Sequence, residues 1–241
     1  MKKLSVQRPF FLSWLGLYYN IYHSTTFIAL DDCIFTKKKD FRSLWHRNTF
    51  DVNIDDDDLT IPIHFLETQR VNDLKISTNI RYIRKHLTTI KFLMASKPYT
   101  QEVLTKVLEP VYKRNHKNLI DFNMDMIFAV CNYLSIPTDH IKRSSELNYS
   151  VSDSVSEMYF QFLEKENCDV LFVDETLGEI LSSQEDVGGM MELDEQYAIR
   201  QGEQDRLVYL PIKKILPPHY NIVEILCEYG TGAINLLKQK G

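Results

Sequence analysis

The sequence predicts an α/β fold built on a mixed or mainly parallel sheet with a helical middle section. Three observations predict it. The N-terminus reads strand, helix, strand; the centre carries apolar residues at helical spacing; and an apolar run near residue 170 stops abruptly on acidic residues, as buried strands do. With 241 residues, 44% of them hydrophobic and 25% charged, the chain can enclose one sizeable core, so a single domain over 1–241 is expected.

Leu4, Ser5 and Val6 form the first short strand and residues 14–22 the first helix. Thr26, Phe27, Ile28, Ala29 and Leu30 follow as a β-rich run that ends at Asp31 and Asp32, completing a Rossmann-like N-terminal unit. Residues 51–58, with four consecutive aspartates, read as a solvated loop, because a calcium loop needs spaced oxygen ligands and a turn glycine. Residues 59–63 and 71–76 read as two further strands, with Pro62 marking an edge or strand end.

Ile83, Leu87, Ile90 and Met94 recur at helical spacing, as do Phe122, Met126, Val130 and Leu134, and residues 101–113 form a helix between them. Residues 139–142 suggest a short strand, and Ser154 with Glu157 offers a capping box for a helix that ends near Asn167. Asp169 to Val173 is a buried strand that ends at Asp174 and Glu175. Residues 174–206 read as an acidic surface excursion or lid, since from Asp174 to Asp205 ten acids face Arg200 alone. Strand character returns at 207–211, and 222–228 and 233–238 are short helices separated by Gly230, Thr231 and Gly232.

No run approaches the roughly 18 apolar residues that span a bilayer, and the first residues lack a secretory apolar stretch, so no membrane span and a cytoplasmic location are expected. Cys33, Cys131, Cys168 and Cys227 stand apart without a CxxC pair, which indicates neither disulfides nor a zinc site; no metal is assigned, and no cofactor is named. A net charge of −5 argues against a protein dominated by nucleic-acid binding, although Lys37, Lys38 and Lys39, and Arg81, Arg84, Lys85, His86 and Lys91, form local basic stretches. The absence of GxSxG, HExxH, GxGxxG and GxxxxGK[ST] lowers the case for serine hydrolases, zincins, dinucleotide enzymes and P-loop hydrolases.

Ligands of open α/β sheets bind beyond the carboxyl ends of the strands, so Gln7-Arg8-Pro9, Asp31-Asp32-Cys33 and Asp174-Glu175 are the first candidates. Paired carboxylates at a strand end can bind an amine, hold a cation or act as an acid/base pair, or one can simply cap a turn. Trp45, His46, Arg47 and Asn48 place an aromatic face, an imidazole, a cation and an amide within one segment, which suits either a nucleotide-linked substrate or a strand with a salt bridge. His86 falls on the flank of its helix's apolar face, between a structural histidine and a general base.

Taken together, Gln7-Arg8-Pro9-Phe10-Phe11-Leu12-Ser13-Trp14-Leu15-Gly16, then Phe27 to Asp32, then Trp45-His46-Arg47-Asn48 resemble the WbqC-like family. The likeness continues through Arg84 to Ile90, Pro98-Tyr99, Leu119 to Asn123, and Asn221 to Leu226 with Gly230. Departures are Arg8 between Gln7 and Pro9, Ser13 in place of a proline, His46 where an amide is usual, Glu224 for an aspartate, and the acidic segment from Asp174.

The resemblance implies a link to surface-polysaccharide biosynthesis and one site formed by Gln7, Trp14, Asp31, Asp32, Arg47, Asn48 and His86. The leading expectation is a transferase that moves a small acyl or aminoacyl group onto an amine or hydroxyl of a sugar nucleotide. Asp32 or His86 is its candidate base, and Gln7, Trp14, Asp31, Trp45, Arg47 and Asn48 are its candidate substrate contacts. Alternatives are the same transfer onto a modified base in phage DNA, and a non-catalytic binding or assembly partner.

Overall fold

The computed structural model describes residues 1–35, 45–48, 50, 59–65, 69–78, 80–149, 155–173, 188–193, 196–201, 204–209 and 221–238. The expectations for residues 36–39, 51–58, 154 and 174–175 therefore lie outside the described residues.

The predicted N-terminal unit is β1 (Lys3–Gln7), α1 (Leu15–His23) and β2 (Thr26–Ala29), with β1 and β2 parallel and Gln7 opposite Ala29. Short antiparallel pairs follow, β3 (Arg47–Asn48) with β4 (Leu59–Thr60) and β5 (Ile63–His64) with β6 (Lys75–Ile76). The helical middle comprises α2 (Arg81–Leu93), α3 (Thr100–Val103), a π turn (Leu104–Leu108), α4 (Glu109–Tyr112) and α5 (Leu119–Tyr133). Then come β7 (Ile141–Arg143), α6 (Val155–Lys165), β8 (Val170–Val173), β9 (Gly188–Leu193), β10 (Gln196–Gln201), β11 (Gln204–Tyr209), α7 (Ile222–Tyr229) and α8 (Ile234–Lys238).

The main sheet runs β7-β2-β1-β8-β11-β10-β9. Strands β7, β2, β1 and β8 are all parallel, and β11 joins them in parallel beside β8. Counted along the chain, the parallel strands stand third, second, first, fourth, fifth, so the winding reverses between β1 and β8. That order is the doubly wound arrangement, and its ligand crevice lies at the carboxyl edge.

Side chains alternate across this sheet and build a core on each face. Leu4, Val6, Ile28, Leu30 and Leu171 pack with Tyr159, Phe162 and Leu163 of α6. Phe27, Ala29 and Phe172 face the opposite way, into a larger core shared with α1, the helical middle, α7 and α8. The α7 N-terminus is held by a full capping box between Asn221 and Glu224, and the Ile222 amide bonds the Ser13 carbonyl at 3.0 Å, which docks the C-terminal helices on the loop after β1.

Three expectations differ from what is found. Residues 59–63 and 71–76 are not two continuous strands: the ladder stops at Pro62, which has no amide to donate, and Val71–Asp73 curls into a 3₁₀ turn before β6. The helix expected over 101–113 widens into the π turn just before Pro110, which lacks the donor for the carbonyl one turn back. Within the acidic excursion, β9 pairs antiparallel with β10 and β10 with β11, and so they extend the sheet.

Candidate functional site

Asp31 and Asp32 stand where β2 ends, next to the end of β7, because Phe27, Ile28 and Ala29 pair with Ile141, Lys142 and Arg143. Asp31 is fully buried. Its carboxylate accepts from Arg143 Nε at 2.6 Å, the Ser145 amide at 2.9 Å and Ser145 Oγ at 2.8 Å, and its own amide donates to Ser144 Oγ at 3.0 Å. Arg143 reaches onward to Asp121 at 2.9 Å. Desolvation works against the Arg143 charge, but Asp31 and Asp121 outweigh it and raise its pKa. A buried carboxylate so fully paired fastens one strand end to another.

Asp32 is placed differently. It accepts from Tyr149 Oη at 2.5 Å and Ser144 Oγ at 2.6 Å, with Arg70 Nη1 at 3.8 Å. Ser144 Oγ also lies 3.0 Å from Asp31 Oδ1, but one hydroxyl proton serves one acceptor, and the shorter contact is with Asp32. Burial first, and then the Asp32 carboxylate, push the Tyr149 phenol well above its ordinary pKa, so it remains a donor. Arg70 is carried in by residues that pair with the segment after β2: Val71 donates to the Cys33 carbonyl at 2.9 Å and Phe35 to the Gln69 carbonyl at 2.8 Å. Cys33 has a thiol that burial pushes up to about 11; the Arg8 charge opposes that shift and the Asp32 charge adds to it. Two carboxylates, a phenol and the guanidinium groups of Arg8, Arg70 and Arg143 thus share the carboxyl edge.

A second polar group clamps the loop after β1. Asn48 Nδ2 donates to the Phe11 and Leu12 carbonyls at 2.8 and 2.9 Å. Asn123 Nδ2 donates to the Pro9 and Trp45 carbonyls at 2.9 and 2.8 Å, and Ser13 Oγ to the Phe10 carbonyl at 2.7 Å. Leu12, buried in this clamp, has a φ of 46°, a left-handed conformation that a side-chain-bearing residue keeps only when its surroundings enforce it. Trp45 is buried edge-on against Phe10, with ring centres 5.0 Å apart. Trp14 is half-buried with its ring laid over Gly16, where an added Cβ would collide with it.

His86 is buried below this clamp, 5.7 Å from the Phe11 ring centre. Its Nδ1 meets Tyr112 Oη at 2.8 Å and its Nε2 the Thr60 carbonyl at 3.1 Å, so Nε2 carries the proton and Nδ1 accepts from the phenol. Burial lowers its pKa to about 4, against a smaller opposing effect of the Thr60 carbonyl.

The residues expected to form one site thus divide. Gln7, Asp31 and Asp32 stand at the strand ends; Trp45, Asn48 and His86 support the loop from behind; Arg47 is exposed on β3; Trp14 opens α1. His86, a candidate base, has both ring nitrogens engaged and no exposed edge, and the Asn48 amide protons go to the protein's own carbonyls. Arg70, Ser144, Ser145, Tyr149 and Asn123 were not anticipated; the polar run Arg143-Ser144-Ser145 right after a short strand was the one local signal for part of this set.

The WbqC-like protein family model matches residues 8–185. The chain belongs to that family. The match ends before Asn221–Leu226, the C-terminal part of the resemblance. Two of the departures from the family pattern have local roles: Ser13 ties the Phe10 carbonyl, and Glu224 completes the α7 capping box. A similar protein is the uncharacterized protein Rv1507c of Mycobacterium tuberculosis, 24% identical over 160 residues that make up 65% of each chain. The chain therefore spans about two thirds of that relative's length. No solved structure matches. Among the described residues, no helix is long and apolar enough to cross a membrane.

Asp31→Asn is expected to lower the unfolding free energy by about 3 kcal/mol, since it breaks the buried pair with Arg143 and leaves that cation only the half-exposed Asp121, whereas Asp32→Asn costs about 1 kcal/mol because Asp32 loses only hydroxyl and distant cation contacts. Urea unfolding of both variants checks this, and equal losses would contradict the division of roles.

His86 also makes stability depend on pH. Above pH 6.5 the ring is neutral in both folded and unfolded chains; below it the unfolded chain takes up the proton first, so stability falls as pH drops from 6.5 toward about 4. Between pH 7 and pH 5 the parent should lose about 1 to 2 kcal/mol more than His86→Gln. Parallel pH slopes for the two proteins would show that His86 does not govern this window.

Proposed function

We propose that this chain is a transferase that moves a small acyl or aminoacyl group onto an amine or hydroxyl of a sugar nucleotide in surface-polysaccharide biosynthesis. The observation that supports it most is the pairing of Asp32 with Tyr149 at 2.5 Å, beside the exposed Arg8 and Arg70, at the carboxyl edge of a doubly wound sheet. An acceptor amine or hydroxyl hydrogen-bonded to Tyr149 Oη gives its proton to that oxygen as Tyr149 passes its own to Asp32. The freed lone pair attacks the acyl carbonyl carbon, and collapse of the tetrahedral intermediate expels the donor's leaving group. Arg8 and Arg70 offer planar forks for nucleotide phosphates or the developing oxyanion. In this reading Asp31 and Arg143 hold the base in place, Gln7 borders the site, and Asn48, Trp45 and His86 shape the loop that forms its wall.

The assay is mass-spectrometric detection of acyl or aminoacyl transfer from carrier thioesters and aminoacyl adenylates onto amino-sugar nucleotides. Asp32→Asn and Tyr149→Phe are each expected to lower turnover about 100-fold or more with the fold retained. Undiminished turnover in both variants would refute this assignment.

A further inference from the structure

The outer face of α2 is a second feature, separate from the carboxyl edge of the sheet. Arg81, Arg84, Lys85, Thr88, Lys91 and Phe92 share one side of this helix at 100° per residue, and all are exposed. The inner side packs into the core through His86 and Ile90, with Tyr82, Ile83 and Leu87 beside them. The helix contains no acidic residue, in a chain whose net charge is −5. Arg84, Lys85 and Lys91 make no ion pair with a described carboxylate, unlike Lys97, Lys106 and Lys113, which pair with Glu228, Glu102 and Glu109. Arg84, Lys85 and Lys91, three cations that no described carboxylate neutralises in an acidic protein, suit an external anion.

The spacing and the flanking side chains indicate which one. From Arg84 to Lys91 the helix rises about 10 Å. A nucleic-acid strand carries about one phosphate per 3.4 Å of axis, so the face matches a run of about three phosphates. Phe92, 73% exposed at the end of the cation row, offers a ring on which an unpaired base can stack. A lipid surface fits less well: the helix's apolar stripe is already buried in the core, leaving only Ile80 and Phe92 exposed at opposite ends, too little to enter an acyl layer.

We propose that the outer face of α2 binds a single strand of nucleic acid, its cations along the phosphates and Phe92 against a base. This goes beyond the transfer reading and does not depend on it, because the face shares no residue with the Asp32 site.

The test is fluorescence anisotropy of the full chain with a labelled oligonucleotide of mixed sequence, as single strand and as duplex, beside co-sedimentation with vesicles containing phosphatidylserine. Three phosphate contacts predict that raising salt from 50 to 200 mM weakens single-strand binding about 20-fold. Arg84→Glu, Lys85→Glu and Lys91→Glu together should abolish most of that salt dependence and of the binding at 50 mM, whereas reversals at Lys117 and Lys165 on other elements should leave it nearly unchanged. Phe92→Ala should weaken single-strand binding about tenfold. All these substitutions fall on exposed positions, and thermal unfolding confirms that the variants fold. No binding at 50 mM salt, binding indifferent to the triple reversal, equal binding of strand and duplex unaffected by Phe92→Ala, or sedimentation with vesicles in place of oligonucleotide binding would each overturn the proposal.

Discussion

The ion pair between Asp31 and Arg143 is the constraint on which the site depends. It joins the end of β2 to the end of β7, 112 residues later, across the whole helical middle. The parallel ladder between these strands is short and ends at Arg143. Beyond that point backbone pairing no longer sets the chain's course, and the Asp31 carboxylate does, by taking the Arg143 side chain, the Ser145 amide and the Ser145 hydroxyl together. The following 3₁₀ turn, Ser144–Glu146, is thereby aimed so that Ser144 and Tyr149 both reach Asp32.

Adjacent carboxylates ordinarily repel, and here each has its own counter-charge. Arg143 lies against Asp31 and Arg70 near Asp32, with Ser144 Oγ between the two acids. The neutral Tyr149 can then sit directly on Asp32. The clamp on residues 9–13 serves the same end from the other side: side-chain donors on β3 and α5, together with Ser13, fix the carbonyls of Pro9, Phe10, Phe11 and Leu12, so the loop beside Arg8 is rigid even with Leu12 in a left-handed conformation.

Much of the sheet was legible because its strands are short apolar runs that end on charge. Phe27 to Leu30 halts at Asp31, and Val170 to Phe172 is flanked by acidic residues, so β1, β2 and β8 could be placed from local pattern alone. The hairpin of β9 and β10 could not, because its acidic residues obscure any period of two. In the site, the importance of the strand end was readable and the difference between Asp31 and Asp32 was not: their partners Arg143, Ser144 and Tyr149 come from a distant segment, and Arg70 from another. His86 sits at the margin of its helix's apolar stripe, and only the approach of Thr60 and Tyr112, each 26 residues away, shows that both nitrogens face inward. The cations of α2, by contrast, follow from helical spacing alone.

A double-mutant cycle on Asp31 and Arg143 tests this account most directly. Asp31→Asn, Arg143→Gln and the double variant, unfolded in urea at pH 7, report the coupling between the two side chains. A coupling of about 2 kcal/mol or more is predicted, because either single change already breaks the buried ion pair. Losses that add to within about 0.5 kcal/mol would contradict the account, since the two strand ends would then be held together by something else.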